Sequence, residues 1–502
     1  MTPPDTTQPV VADVTVDAET TTATGGAARA AGVTLTGQAL RVLIQFGSIV
    51  VLARLLLPED YGLLAIVLVV VGIGEIVRDF GLSTAAVRAP SLTAAVRDAL
   101  FWINTAIGGA LCLALLASAG LLAQLFDRPA LEPIAGALSV TFLLNGLATQ
   151  FRVSLSRRLD FRSLVGADVL AQFLAAGVAV AAAFAGAGYW ALVAQQLTQA
   201  AVALVVLAVR AGWLPGRPRR APGLRPLLVL GGHLVGTELL HYASNNIDTV
   251  TVGFRFDAAA LGLYNRGFQL VMTPLNQVRS PATTVALPVL SRLQDDQARF
   301  ADHLRRGQLA IGFTLVAGMA VVAGAADPVV ELFLGPRWAE VAPILALLAA
   351  AGASQTLAFV GLWVYLTRGL GAELFRFTMA TSLLRLGCVL AGSSWGVVGV
   401  AAGYALAAFM EWPLSLWWLS RITVVPAAAL AAGALRILAC AVPAGVAAFL
   451  VATVTDDLAT VVQTAAAFLA GGAMLAVAAG VSRTVRADLS GVLAFARSMA
   501  RR

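Results

Sequence analysis

Apolar segments of twenty residues or so follow one another along most of this chain, and that succession sharply limits what it can fold into. Fourteen stand out, at roughly 32–57, 61–80, 99–126, 132–152, 164–186, 188–209, 225–253, 259–290, 307–327, 341–365, 374–392, 395–419, 433–454 and 458–481. About 20 apolar residues in a helix cross the hydrocarbon core of a bilayer. Within that core each backbone N–H and C=O must be satisfied inside the segment, which favours helices for runs of this length. The expected fold class is an all-α polytopic membrane protein with 14 transmembrane helices. Charge agrees: 12% of the 502 residues are charged, against about 25% in soluble domains. A water-soluble enzyme is set aside on that ground.

All 34 basic residues are arginine, and the net charge is +7. In a soluble protein that balance suggests nucleic acid. Here the arginines stand between apolar runs, so they read as orienting signals, and no nucleic-acid partner is expected. With a cytoplasmic N-terminus, 26 arginines fall in inside loops and tails and only Arg54, Arg128, Arg255 and Arg337 fall outside. That bias matches the positive-inside rule and puts both termini in the cytoplasm. Arg41, Arg266, Arg279 and Arg385 lie within spans.

The domain organisation follows from composition. Residues 1–31 read as a disordered cytoplasmic tail, without the basic start and cleavage site of a signal peptide. Residues 32–210 form a first six-helix bundle, and 211–224, rich in Pro, Gly and Arg, a cytoplasmic linker. Residues 225–420 form a second six-helix bundle, 421–482 two further transmembrane helices, and 483–502 a cytoplasmic tail. Residues 291–306 read as an amphipathic helix on the inner surface.

The two bundles echo each other at an offset of about 200. VLARLLLPEDYGLLA (51–65) matches VGFRFDAAALGLYN (252–265), with Gly62–Leu63 on Gly262–Leu263. Six spans separate the copies, which predicts a parallel repeat about an axis along the membrane normal. Polar stripes match too. Gln38, Arg41, Gln45 and Ser48 share one face of the first span, and Glu238, His241, Asn245 and Asp248 occupy the corresponding face of the seventh. The eighth span adds Arg266, Gln269, Thr273, Asn276, Gln277, Ser280 and Thr284, with Pro274, Pro281 and Pro288 as a hinge candidate.

A charge near the bilayer centre costs about 2.5–3.5 kcal/mol on insertion scales, so such groups face protein or a wet cavity. Arg41, Glu238, His241, Asp248, Arg266 and Arg385 therefore carry the information. One reading lines a central hydrated cavity with them; the other pairs Arg41 with Glu238 or Asp248 to hold the halves together. The guanidinium fork suits phosphate oxygens and stays charged in poorly hydrated sites. Glu75, Arg78 and Asp79 read as a local ion-pair network, and Gln355 and Glu411 as packing residues. Cys112, Cys388 and Cys440 lie in apolar runs, the histidines make no metal motif, and neither a Walker loop, HExxH nor GxSxG occurs. No cofactor, metal or catalytic residue is expected.

The segments LARLLLPEDYGLLA and VRDFGLSTAAV resemble the opening hairpin of polysaccharide (O-antigen-type, Wzx-like) flippases. Residues 243–296 and FLGPRWAEVAPIL (333–345) resemble the span seven–eight region and a later loop of the same family, a branch of the multidrug/oligosaccharidyl-lipid/polysaccharide exporter superfamily. The resemblance implies two six-helix bundles around a cavity. It also implies export of an undecaprenyl-diphosphate-linked oligosaccharide across a bacterial plasma membrane by alternating access, for lipopolysaccharide or exopolysaccharide biosynthesis. It implies that Arg41, Arg266 and Arg385 contact the substrate. Gln38, Gln45, Asn245, Gln269 and Asn276 complete the candidate substrate set, and Glu238, His241 and Asp248 the candidate ion-coupling set. Expected partners are the lipid-linked oligosaccharide, membrane lipids, and the glycosyltransferases and polymerase of the pathway. A cation-coupled drug or metabolite antiporter, a membrane-embedded glycan polymerase and a non-transporting scaffold are the alternatives.

Overall fold

The computed structural model describes residues 19–79, 81–88, 92–217, 235–236, 238–488 and 490, and among them the chain is helical with no strand. The first half comprises α1 (Glu19–Leu55), α2 (Pro58–Asp79), the short α3 (Leu82–Arg88), α4 (Ala94–Leu125), α5 (Leu131–Arg157), α6 (Phe161–Phe184) and α7 (Tyr189–Ala211). The second half opens with a helical stretch at 238–245, then α8 (Ile247–Arg255), α9 (Ala258–Arg292), α10 (Gln297–Ile311), α11 (Ala317–Gly324) and α12 (Ala326–Phe333). It continues with α13 (Val341–Thr367), α14 (Gly371–Gly392) and α15 (Gly396–Ile422), and the last pair is α16 (Ala427–Val454) and α17 (Thr460–Val481).

Eleven stretches are long and apolar enough to cross a membrane. One of them, Gly371–Ile422, holds both α14 and α15. The polar, proline-bearing α9 is not among the eleven, and part of the expected seventh span lies outside the described residues, so the count of fourteen is not established. Some helices start on a local polar cap. Thr93, Asp257 and Asp296 each accept a backbone N–H from three residues on. Asp160 does the same for α6, and its hydrogen bonds from Ser163 hold its carboxyl below the usual carboxylate range.

Three local expectations need correction. Helix α1 begins at Glu19, within the segment read as a disordered tail, and Ala27, Ala28, Ala30 and Ala31 favour helix where it joins the span. The surface helix expected at 291–306 starts instead at Gln297 and runs through a π-helical turn, Gly312–Val316, into α11. Its apolar face, with Phe300, Leu304 and Leu309 buried, packs into the bundle rather than onto lipid headgroups. The first part of the linker is pinned: Trp213 lies against Phe151 at 4.8 Å with the Arg97 guanidinium 3.8 Å from its ring. Trp102 Nε1 donates to the Gly216 carbonyl at 2.7 Å.

The internal repeat is visible as contact. Helices α2 and α9 begin 200 residues apart, at Pro58 and Ala258, and cross at the glycines of the repeat. A methyl group on Gly62 would overlap the Ala258 carbonyl, and one on Gly262 would overlap the Pro58 carbonyl. Small residues permit such close approach of membrane helices. Each half then grips the other around the helix ends next to that crossing. From the second half, Trp338 Nε1 donates to the Ala53 carbonyl at 2.8 Å, and its ring meets Tyr61 edge-on at 5.5 Å. From the first, Arg128 donates to the Phe256 carbonyl at 2.7 Å, and Phe126 stacks on Phe254 at 4.4 Å. This reciprocal clamp joins the two halves at one end of the molecule.

Candidate functional site

Away from the clamp, each half carries its own polar cavity. In the first half, α1, α2, α5, α6 and α7 surround about 300 Å³ lined by Arg41, Glu75, Asn145, Arg152, Asp168, Gln196 and Gln199. Asp168 stands at the centre. Its Oδ2 meets Arg41 at 3.3 Å and its Oδ1 meets Arg152 at 2.6 Å. One carboxylate thus serves two guanidiniums. Both arginine side chains stay open to the cavity, at 41% and 45% exposure. Glu75 is held separately: Arg78 Nε donates to it at 2.8 Å and Asn145 Nδ2 at 2.9 Å. With Glu75 neutralised by Arg78, the Asp168 cluster keeps one positive charge in excess, on groups with unused donors.

The second-half cavity is larger, about 550 Å³, and lies between the 238–246 segment, α9, α13, α14 and α15. Arg385 NH2 meets Glu411 Oε2 at 3.0 Å, and here the arginine side chain is only 11% exposed. The Arg385 guanidinium sits 5.2 Å from the Tyr404 ring, and the Tyr404 hydroxyl accepts from Gln355 Nε2 at 3.0 Å. Arg279 is buried in the wall and donates to the Gly352 carbonyl at 3.0 Å and to Thr356 Oγ1 at 2.8 Å. Two arginines against one glutamate again leave one positive charge in excess. The packing differs, because both guanidiniums are committed to protein acceptors.

The structure brings some of the sequence-selected residues together and separates others. Arg41 lines the first cavity; His241, Asn245, Asn276 and Arg385 line the second, with Asn245 Nδ2 2.9 Å from His241 Nε2. Arg266 lines neither. It is buried with its guanidinium 4.0 Å from the Tyr61 ring, at the clamp. Gln269 also lines neither and bonds Asn265 at 2.9 Å, while Gln38 bonds Gln277 across the halves. Gln45 is half-buried and Glu238 exposed, both outside these cavities. Asp248 is buried and accepts the Tyr264 hydroxyl at 2.6 Å. The partner of Arg41 is Asp168 rather than Glu238 or Asp248.

Arg152, Asp168, Arg279 and Glu411 line the cavities but were not among the sequence-selected site residues. Asp168 carried a usable signal, being acidic inside an apolar span. Arg152 sat at a predicted span end and read as a loop charge. Glu411 looked isolated because its partner is 26 residues away on another helix.

Residues 51–343 match a family described as polysaccharide biosynthesis protein. The chain belongs to that family. Relatives include the lipopolysaccharide biosynthesis protein WzxC of Escherichia coli K12, 24% identical over 73% of this chain and 75% of that protein. The succinoglycan biosynthesis transport protein ExoT of Rhizobium meliloti is 25% identical over 70% of this chain and 71% of that protein. Among solved structures, the family member shares its fold with the lipid II flippase MurJ in an inward closed conformation, at TM-score 0.67 and 13% identity over 90% of this chain and 98% of MurJ. An inward-facing multidrug resistance MATE family transporter matches at TM-score 0.59 and 14% identity, over 80% of this chain and 98% of that one. This is a multi-span membrane protein with the MurJ/MATE fold and polysaccharide biosynthesis transport proteins as relatives.

Proposed function

We propose that this protein moves an undecaprenyl-diphosphate-linked oligosaccharide from the inner to the outer leaflet of a bacterial plasma membrane, for assembly of a cell-surface polysaccharide. The observation that carries the reading is the pair of arginines, Arg41 and Arg152, held at a cavity wall by the single carboxylate of Asp168. Two guanidiniums sharing one anion have donors to spare for phosphate oxygens, and a diphosphate offers enough oxygens to engage both. Family membership with transport proteins of polysaccharide synthesis, and a fold shared with a lipid flippase, support the same direction.

In this reading both termini are cytoplasmic, as the arginine distribution indicates, and the clamped end faces outward. The diphosphate docks on Arg41 and Arg152, while the sugars extend toward Asn245, Asn276 and Arg385 in the second cavity. The lipid tail stays in the bilayer. The two halves rock about the Gly62–Gly262 crossing, and the clamp opens as the inner side closes. Arg266 and Gln269 act in packing, through Tyr61 and Asn265. Energy enters through Asp248, which lies buried beside Tyr264 and within the field of Arg385; His241 and Glu238 sit on the same stripe. Pathway glycosyltransferases and the polymerase supply and consume the cargo.

Purified protein in liposomes, loaded with a fluorescent undecaprenyl-diphosphate oligosaccharide, tests the function. Outward translocation above protein-free liposomes is expected. A rate equal to the protein-free control, from protein that is folded in the bilayer, would rule the reading out.

A further inference from the structure

Outside the two cavities, the most unusual group is an arginine at the clamped end. Four arginines fall on the side of the membrane that the arginine-rich loops avoid, and three are engaged by the protein. Arg54 donates to the Leu332 carbonyl at 2.9 Å, Arg128 to the Phe256 carbonyl at 2.7 Å, and Arg255 to the Ser393 hydroxyl. Arg337 is exposed and makes no hydrogen bond, ion pair or ring contact among the described residues. With Arg54 it lines a cleft of about 490 Å³ between the end of α1, the 331–337 segment and the start of α17. The acidic group there, Glu331, accepts from Thr460 Oγ1 at 3.0 Å.

The cleft does not stop at the surface. It shares Leu332 and Val461 with an apolar groove of about 390 Å³ that runs down the seam between the halves. Phe46 of α1, Leu270 of α9, Phe333 of α12 and Phe468 of α17 line that groove. Its one hydroxyl, Thr464, donates to the Thr460 carbonyl at 2.7 Å. From Arg54 to Phe46 the wall descends about 12 Å at 1.5 Å per residue. A charged mouth at headgroup level over a dry slot of that depth has the shape of a lipid site.

We propose that this seam binds an anionic glycerophospholipid, its phosphate between Arg54 and Arg337 and one acyl chain in the groove below. Arginine offers paired donors to phosphate, and the slot offers hydrocarbon to hydrocarbon with no polar group unsatisfied. The two positive charges against Glu331 select an anionic headgroup and disfavour one that adds a cation. Because α1 belongs to the first half and α9 to the second, a lipid lodged there bridges the halves beside the clamp and steadies it.

The test is native mass spectrometry of the full chain in detergent, with equimolar phosphatidylglycerol, phosphatidylcholine and undecaprenyl phosphate added together. Phosphatidylglycerol is expected to be retained about tenfold over the other two. Arg337→Glu should abolish that preference. The substitution touches an exposed, unbonded side chain, and an unchanged thermal midpoint in lipid-free detergent verifies the fold. Val461→Trp, which fills the slot, should lower retention of phosphatidylglycerol independently of charge. Equal retention of phosphatidylglycerol and phosphatidylcholine, no response to Arg337→Glu, or preference for undecaprenyl phosphate would each overturn the assignment.

Discussion

The first-half and second-half cavities are built from the same materials and handle them differently. Each holds two arginines near one carboxylate, Asp168 or Glu411, and the first adds Glu75, which Arg78 neutralises. In the first, Arg41 and Arg152 are more than 40% exposed and share Asp168. In the second, Arg385 is 11% exposed, ion-paired to Glu411 and placed by the Tyr404 ring, and Arg279 is bonded to backbone and hydroxyl. Exposed ion pairs contribute about 0–1 kcal/mol, whereas breaking a buried pair costs about 3–5 kcal/mol because a lone charge is left behind. The Asp168 pairs are thus inexpensive to break, and the Arg385–Glu411 pair is bound into the bundle. One half leaves its guanidiniums open and the other commits them to protein acceptors.

The largest expected effect breaks the committed side. Arg385→Ala should lower stability by about 3–5 kcal/mol, read as a drop in thermal midpoint, because it strands Glu411 in the wall. Adding Glu411→Gln should recover most of that loss. Next, Asp168→Asn in the open side should leave stability within about 1 kcal/mol. It should also tighten binding of a soluble diphosphate analogue about tenfold, since a tenfold gain needs only about 1.4 kcal/mol. Equal destabilisation by Arg385→Ala and Arg41→Ala would erase the contrast between the cavities. A smaller effect sharpens it: Tyr404→Phe removes the acceptor of Gln355 but keeps the ring beside Arg385, and should cost about 1 kcal/mol or less. It should leave binding at Arg41 unaltered.

Much of the fold was legible in the residues. The apolar runs marked the helices, and the echo of Gly62–Leu63 in Gly262–Leu263 proved to lie in the first turns of two helices that cross there. The clamp partners of that crossing, Trp338 and Arg128, were not legible. They come from loops far along the chain, and their bonds go to backbone carbonyls that carry no sequence signature. The site was legible in residue type and less so in direction. Arg266 and Arg279 lie 13 residues apart on α9, about 140° around a helix at 100° per residue, so only one of them turns to a given cavity. The structure turns Arg279 into the second cavity and Arg266 onto Tyr61. Asp168 and Glu411 show the remaining gap: a carboxylate inside an apolar run announces a partner but not which helix holds it.

The most direct measurement is the translocation rate of an undecaprenyl-diphosphate oligosaccharide by the Arg41→Ala, Arg152→Ala double variant in proteoliposomes, beside wild-type protein at equal reconstituted amounts. If the two guanidiniums around Asp168 hold the diphosphate, the rate falls by about 100-fold or more, at about 1.4 kcal/mol per tenfold for each arginine removed, while the thermal midpoint stays near that of wild type. Wild-type flipping by the folded double variant would contradict the account.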